Sequence, residues 1–299
     1  MTDPPPLVTI ADGPSTAAPI VLLHGFLESP SLWRDLPPRL WADRHVVSLP
    51  LPGHAPWRTT RTGLAALLED DAFLDCYAEA LSRHRPGTRW RLVGHSTGAM
   101  VALALARRHP NLVDVVCAVA PLLSGSVCAR GLQGAVVRLP MVGLVTFRWL
   151  VGRWLADAES FAAGLRTVTG GPTAPLPRLE GMQAELAQTD LECLYRFGCW
   201  IGTRDMEAHL ATLRHPVLAM VCDHDPVIDP RHQLRLIRAA PLASAVVLRS
   251  GHLPMFETPR AFARVFAAWR DRPQERPGAG GSAVAEADRE RPDETPAGC

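Results

Sequence analysis

Trp90-Arg91-Leu92-Val93-Gly94-His95-Ser96-Thr97-Gly98-Ala99-Met100 reads as a strand, a turn and a helix in immediate succession. The apolar run Trp90–Val93 gives way to a serine flanked by glycines two residues away on each side. A helical pattern, Thr97–His109, follows at once. A serine on so tight a strand-to-helix turn sits in a strained backbone, and only small neighbours let that turn close. Gly94 and Gly98 supply the room, and the hydroxyl is left pointing out of the sheet at a helix N-terminus, where free N–H groups favour developing negative charge.

Outward from this turn, short β-branched apolar runs alternate with longer helical patterns, the signature of βαβ units and a mostly parallel sheet. The runs are Leu7–Ala11, Pro19–Leu23, His45–Leu49, Trp90–Val93, Val113–Ala120, Val217–Cys222 and Ser244–Leu248. Several are apolar on consecutive residues, as strands covered on both faces require. Helical spacing is read over Thr62–His84 and Pro259–Trp269. From Leu122 to Glu207 no strand-like run occurs, and the helical patterns are broken by Gly170, Gly171, Pro172, Pro175 and Pro177. This stretch reads as a helical insertion, neutral in charge and rich in aromatics, suited either to packing on the main domain or to lining an apolar pocket. The organisation expected is a core in two parts, 1–121 and 208–272, an insertion over 122–207 and a disordered tail over 273–299. That tail is rich in Pro, Gly and charge and has no aromatic, Leu or Ile with which to repay its ordering entropy.

Two further loops carry candidate chemistry. His24-Gly25-Phe26 follows the run Pro19–Leu23, and a glycine there lets a main-chain N–H turn into a pocket. The amides of Phe26 and Thr97 then form a candidate pair of oxyanion donors. Near the C-terminus, Asp223-His224-Asp225-Pro226 follows Val217–Cys222, and Ser250-Gly251-His252 follows Ser244–Leu248. Both stand at strand ends, where open α/β sheets place their sites, and the order Ser96, acid, His252 suits a nucleophile–acid–base set.

Composition narrows the function classes. The chain has 299 residues, a hydrophobic content of 47% and a net charge of +1, all 31 cations being Arg. A chain so balanced has no global field to draw it to nucleic acid or an anionic membrane. The seven cysteines are scattered, odd in number and without a C-x-x-C pair, which argues against a disulfide framework and against a zinc site. The N-terminus lacks the features of a secretion signal, and the greasiest stretch, Met141–Ala156, is too short and too interrupted by Arg to span a bilayer. A cytoplasmic protein without stable membrane insertion is expected.

On these residues the chain resembles the α/β-hydrolase fold superfamily with a helical cap. The matching pieces are His24-Gly25-Phe26, Pro52-Gly53-His54, Gly94–Gly98, Asp225-Pro226, and Gly251-His252 followed by Pro254 and Glu257. Pro50 and the Ala55-Pro56 pair depart from the pattern of relatives in a loop near the pocket mouth. The resemblance implies a mostly parallel sheet flanked by helices, with the cap between strands 6 and 7. It implies Ser96 as nucleophile, His252 as base and Asp225 as orienting acid. Asp225 stands before Pro226 as in relatives, whereas Asp223 and Asp229 remain rivals for that role. The implied activity is cleavage of a carboxylic ester or thioester of an apolar small-to-medium acyl group through an acyl-enzyme, with no cofactor or metal. Acyl transfer, carbon–carbon bond hydrolysis and a non-catalytic ligand-binding role on the same scaffold stay open, and so do the substrate-binding residues.

Overall fold

The protein is described here from a computed structural model, which places residues 4–14, 17–41, 43–126, 142–171, 179–272 and 284–286. Its strands are β1 (Val8–Asp12), β2 (Ile20–Leu23), β3 (His45–Leu49), β4 (Trp90–His95), β5 (Val113–Val119), β6 (Val217–Cys222), β7 (Ala243–Leu248) and β8 (Val284–Glu286). They form one sheet in the order β1-β3-β2-β4-β5-β6-β7-β8. β1 is antiparallel to β3, and the remaining pairings are parallel. The first seven strands coincide, to within one or two residues, with the runs read from the sequence.

Alternation along each strand sorts side chains to the two faces. Val21, Leu23, Val47 and Leu49 pack on one face with Tyr77, Leu81 and Met100, whereas Ile20, Leu22 and Val46 pack on the other with Trp33, Phe262 and Phe266. Each such apolar side chain contributes about 1.5–3 kcal/mol on burial, which is why the central strands read as continuous hydrophobic runs.

The helices are α1 (Ser31–Arg34), α2 (Arg61–Leu68), α3 (Phe73–His84), α4 (Thr97–Arg108), α5 (Gly143–Leu155), α6 (Ala158–Arg166), α7 (Glu180–Ala187), α8 (Leu191–Gly202), α9 (Pro230–Gln233), α10 (Arg235–Ala239), α11 (Pro254–Glu257) and α12 (Pro259–Arg270). The single helix expected over Thr62–His84 is divided into α2 and α3. The consecutive acids Glu69-Asp70-Asp71 form a short 3₁₀ turn between them, with Asp70 and Asp71 at φ 48° and 57°. Asp71 Oδ1 accepts from Trp200 Nε1 at 2.9 Å, and the Asp70 carbonyl accepts from Arg108 at 2.9 Å, so tertiary partners hold the break open.

Between β5 and β6 the described elements are helices, α5 to α8, and a 3₁₀ turn over Glu207–Thr212. Counted along this chain the insertion follows the fifth strand, so the expected position between strands 6 and 7 is corrected by one: among the described residues a single antiparallel edge strand stands ahead of β2. The two ends of the insertion are stitched together at its base. Ser124 pairs with Asp205, Gly125 N–H donates to the Arg204 carbonyl at 2.9 Å, and Met206 N–H donates to the Leu123 carbonyl at 2.8 Å.

The tail 273–299 lies outside the described residues except for β8. Its three residues pair in parallel with β7, Ala245 with Val284, Val246 with Ala285 and Val247 with Glu286. For those residues the open edge of β7 offers main-chain partners that composition does not reveal, and for the rest of the tail the expectation falls outside the described residues. No helix among the described residues is long and apolar enough to cross a membrane. Cys117, Cys193 and Cys222 are buried free thiols, Cys76 is half-buried and Cys199 is exposed, while Cys128 and Cys299 lie outside the described residues.

Candidate active site

The C-terminal ends of β2, β4, β6 and β7 bring four loops to one place. At the end of β4, Ser96 has φ 54° and ψ −117°, a conformation L-residues rarely adopt. The turn is held by Ser96 N–H donating to the Val119 carbonyl at 2.9 Å and by the Ser96 carbonyl accepting from Ala99 N–H at 3.0 Å. The steric requirement read from the sequence is visible in the coordinates. A Cβ on Gly98 would stand 2.2 Å from the Leu23 carbonyl oxygen, and one on Gly94 would stand 2.3 Å from the Gly98 oxygen. Both obstacles are backbone, which cannot swing aside. Gly98→Ala is therefore expected to cost about 3 kcal/mol or more, read as a lowered denaturant midpoint; an unchanged midpoint would show that the turn can open.

His252 follows β7 through Gly251. Its Nδ1 lies 2.8 Å from Asp225 Oδ2, and since a carboxylate only accepts, Nδ1 carries the proton and Nε2 is left as the basic nitrogen. Asp225 is fixed in turn: Oδ1 accepts from Val227 N–H at 2.8 Å and Ile228 N–H at 2.9 Å, and Oδ2 also accepts from Gln233 Nε2 at 2.9 Å. The rivals have other partners. Asp223 accepts from Ser250 N–H at 3.2 Å and lies beside His224, with its side chain 31% exposed. Asp229 caps α9 through Arg231 N–H at 2.8 Å.

The loop bearing His252 leans on the insertion. His252 N–H donates to the Val168 carbonyl at 2.9 Å, and Glu257 accepts from Gly170, Gly251 and Leu253 N–H at 2.7, 3.0 and 2.9 Å. Gly251 permits this approach, for a Cβ there would stand 2.1 Å from Gly170 N. On the β2 side, burial pushes His24 down to about 4. Its neutral ring donates from Nδ1 to the Gly25 carbonyl at 2.8 Å and accepts Leu51 N–H on Nε2 at 3.1 Å. The Phe26 ring is seated against Gly198 of α8 and stacks on Phe147 of α5 at 6.2 Å.

Ser96, Thr97, Phe26, Glu28 and His252 line one cavity of about 500 Å³, to which Leu150, Val151, Trp154 and Leu165 of the insertion contribute apolar walls. The structure thus brings together Ser96, Asp225, His252, Phe26 and Thr97, while Asp223 is engaged by Ser250 and His224 and Asp229 by Arg231. Sequence reasoning missed Gln233 as a partner of Asp225, and it assigned nothing to His95, whose Nε2 lies 2.8 Å from the His252 carbonyl. Gln233 carries no motif, and His95 occupies a motif position that tolerates many side chains. No cluster of three or more metal-ligating side chains occurs among the described residues.

The comparisons with known proteins agree with this architecture. The alpha/beta hydrolase family model matches residues 20–265. A dihydrolipoyllysine-residue acetyltransferase component of an acetoin cleaving system from Pseudomonas putida is 30% identical over 82% of this chain, which spans 61% of that relative's length. A pimeloyl-[acyl-carrier protein] methyl ester esterase from Neisseria meningitidis is 26% identical, covering 85% of this chain and 93% of the relative. Among solved structures, an enol-lactonase from Burkholderia xenovorans superposes with a TM-score of 0.62 at 20% identity, covering 89% of this chain and 96% of that one. With the family model matched over residues 20–265 and methyl ester esterases among its relatives, the chain belongs to the alpha/beta hydrolase family and is a hydrolase enzyme.

Proposed function

We propose that the protein is a serine hydrolase that cleaves a carboxylic ester or thioester of an apolar small-to-medium acyl group, with Ser96 acylated in the course of reaction. The observation that carries this reading is the 2.8 Å bond from His252 to Asp225 beside a cavity that Ser96 shares with His252. In the mechanism Ser96 Oγ attacks the carbonyl carbon while His252 Nε2 takes its proton. Asp225 holds the tautomer and stabilises the imidazolium. The amides of Phe26 and Thr97 receive the oxyanion, a class of contact for which one donor is worth roughly 10²–10³ in rate. His252 then protonates the leaving group, and water, activated by the same nitrogen, releases the acid. The helices α5 to α8, within the stretch 122–207, act as the cap that shapes the acyl site. The Neisseria relative, named as a methyl ester esterase, supports ester cleavage, and the apolar walls of the cavity support an acyl chain over a charged substrate.

A fluorophosphonate probe is expected to label Ser96 in the wild-type protein. Across a series of p-nitrophenyl acyl esters, kcat/KM should rise about fourfold per methylene until the cavity is filled, because each buried CH₂ contributes about 0.8 kcal/mol. Absence of the label, or fastest turnover of the acetyl ester, would overturn the nucleophile or the acyl site respectively. Added alcohols that divert the acyl group in place of water would favour the acyl-transfer reading, which the name of the Pseudomonas relative suggests.

A further inference from the structure

Beside the proposed catalytic set lies a largely buried pair of groups that the mechanism does not use, one of which, Glu28, lines the same cavity as Ser96. His95, the residue before Ser96, is completely buried, and Glu28, on the loop after β2, is 7% exposed. His95 Nδ1 lies 2.9 Å from Oε1 and 3.0 Å from Oε2 of Glu28, while His95 Nε2 lies 2.8 Å from the main-chain carbonyl of His252. With Glu28 ionised, as its acceptance of Gly25 N–H and its lowered pKa favour, both ring nitrogens face acceptors, both carry protons and the ring is an imidazolium. Glu28 Oε2 also accepts from Gly25 N–H, next to the Phe26 amide. The chain of bonds thus runs from the oxyanion loop, through Glu28 and the elbow, to the backbone of the base, and the His95 and His252 rings are 4.7 Å apart.

We propose that Glu28 and His95 form a buried carboxylate–imidazolium strut that sets the spacing of the Phe26 amide, Ser96 and His252, so that both act as positioning residues for the hydrolytic reaction. This rests on the Ser96 acyl-enzyme reading given above. Three loops meet at the site with no strand pairing between them, and errors of about 1 Å in such a constellation cost on the order of 10²-fold in rate. The His95 ring, bonded through both nitrogens, and the shared carboxylate tie all three, and the paired charges strengthen each of those bonds. Because a buried charge is costly when its partner is removed, the two residues act as a unit.

The charges lend the strut a signature that can be read apart from turnover. Burial opposes ionisation of both groups. The opposing charge and hydrogen bonds of Glu28 nevertheless raise His95 above its ordinary 6.5, and His95 lowers Glu28 below its ordinary 4.5. Asp225 adds to the rise at His95, while His252 and His24 are the other titratable rings around it. A raised histidine stabilises fully below the unfolded value and loses that contribution as pH rises through the folded value; the lowered carboxylate loses its contribution only as pH falls below about 4.5. Between pH 6 and 9 the pair's contribution therefore declines with rising pH.

The test uses two variants of the full chain. In Glu28→Gln the amide can still accept Gly25 N–H and donate to a neutral His95 that keeps its bond to the His252 carbonyl. In Glu28→Gln/His95→Leu the chain of bonds is broken without leaving a buried charge. Rates are normalised to sites titrated by the fluorophosphonate probe, which removes any misfolded fraction. The expected result is a fall in kcat of less than tenfold for Glu28→Gln and of about 100-fold for the double variant, with KM within threefold in both. The excess of the wild-type thermal midpoint over that of Glu28→Gln should shrink steadily from pH 6 to pH 9. Undiminished kcat per site in the double variant, a loss borne by KM, or a midpoint difference independent of pH would overturn the strut. Failure of the probe to label wild-type Ser96 would instead bring down the acyl-enzyme reading, and the strut's kinetic role with it.

Discussion

Ser96→Ala is expected to lower kcat on p-nitrophenyl butyrate by roughly 10⁴–10⁶-fold, with the thermal midpoint changed by no more than a few degrees. The size of the loss follows from what remains: donors and binding alone retain on the order of 10³–10⁴ over water. The fold survives because Ala tolerates the same backbone as Ser and the turn is held by main-chain bonds to Val119, Ala99 and Leu122. His252→Ala should fall within about tenfold of the same value, since members of such a set act together rather than additively. Initial rates and circular dichroism melts on purified variants measure both quantities. A Ser96→Ala protein retaining a tenth of the wild-type rate would remove Ser96 from the mechanism.

Asp225→Asn should lower kcat by about 10³–10⁴-fold, whereas Asp223→Asn should change it by less than about threefold. The asymmetry comes from the hydrogen bonds. Oδ1 of Asp225 accepts two main-chain N–H groups, so the amide oxygen of an asparagine is compelled to take that place. Its NH₂ then faces both His252 Nδ1 and the Gln233 amide, and neither can keep its present role. The imidazole shifts its proton to Nε2 and presents a donor to Ser96 where a base is needed. Asp223 meets Ser250 N–H and an exposed histidine, partners an asparagine oxygen satisfies equally well. Steady-state kinetics on the two variants decide the matter, and the reverse ranking would transfer the acid role to Asp223.

The contrast between these two aspartates shows what a sequence can and cannot disclose. Their spacing puts both on one face of an extended strand end, so local geometry leaves them equivalent. The turn after Asp225, which draws its carboxylate inward onto Val227 and Ile228, separates them. The glycines at 94 and 98 were legible because their constraint is local and steric. Glu28 and His95 stand 67 positions apart, and no periodicity links them. The break between α2 and α3 leaves only a slight mark in the spacing, Leu64 and Leu67 belonging to one helical stripe and Phe73 and Tyr77 to another, while the partners that hold Asp70 and Asp71 come from α4 and α8, where no local pattern points.

The anchoring of the His252 loop on Val168 and Gly170 bears on how such a protein can diversify. Because the stretch between β5 and β6 leaves and rejoins the sheet at a single stitched point, it has the look of an exchangeable module that could be swapped to alter selectivity. Yet a transplanted segment that does not place a main-chain carbonyl where that of Val168 stands would release the main chain of His252, the proposed base. An exchange of that segment would therefore have to carry over the contacts at Val168 and Gly170 to keep the His252 loop in place.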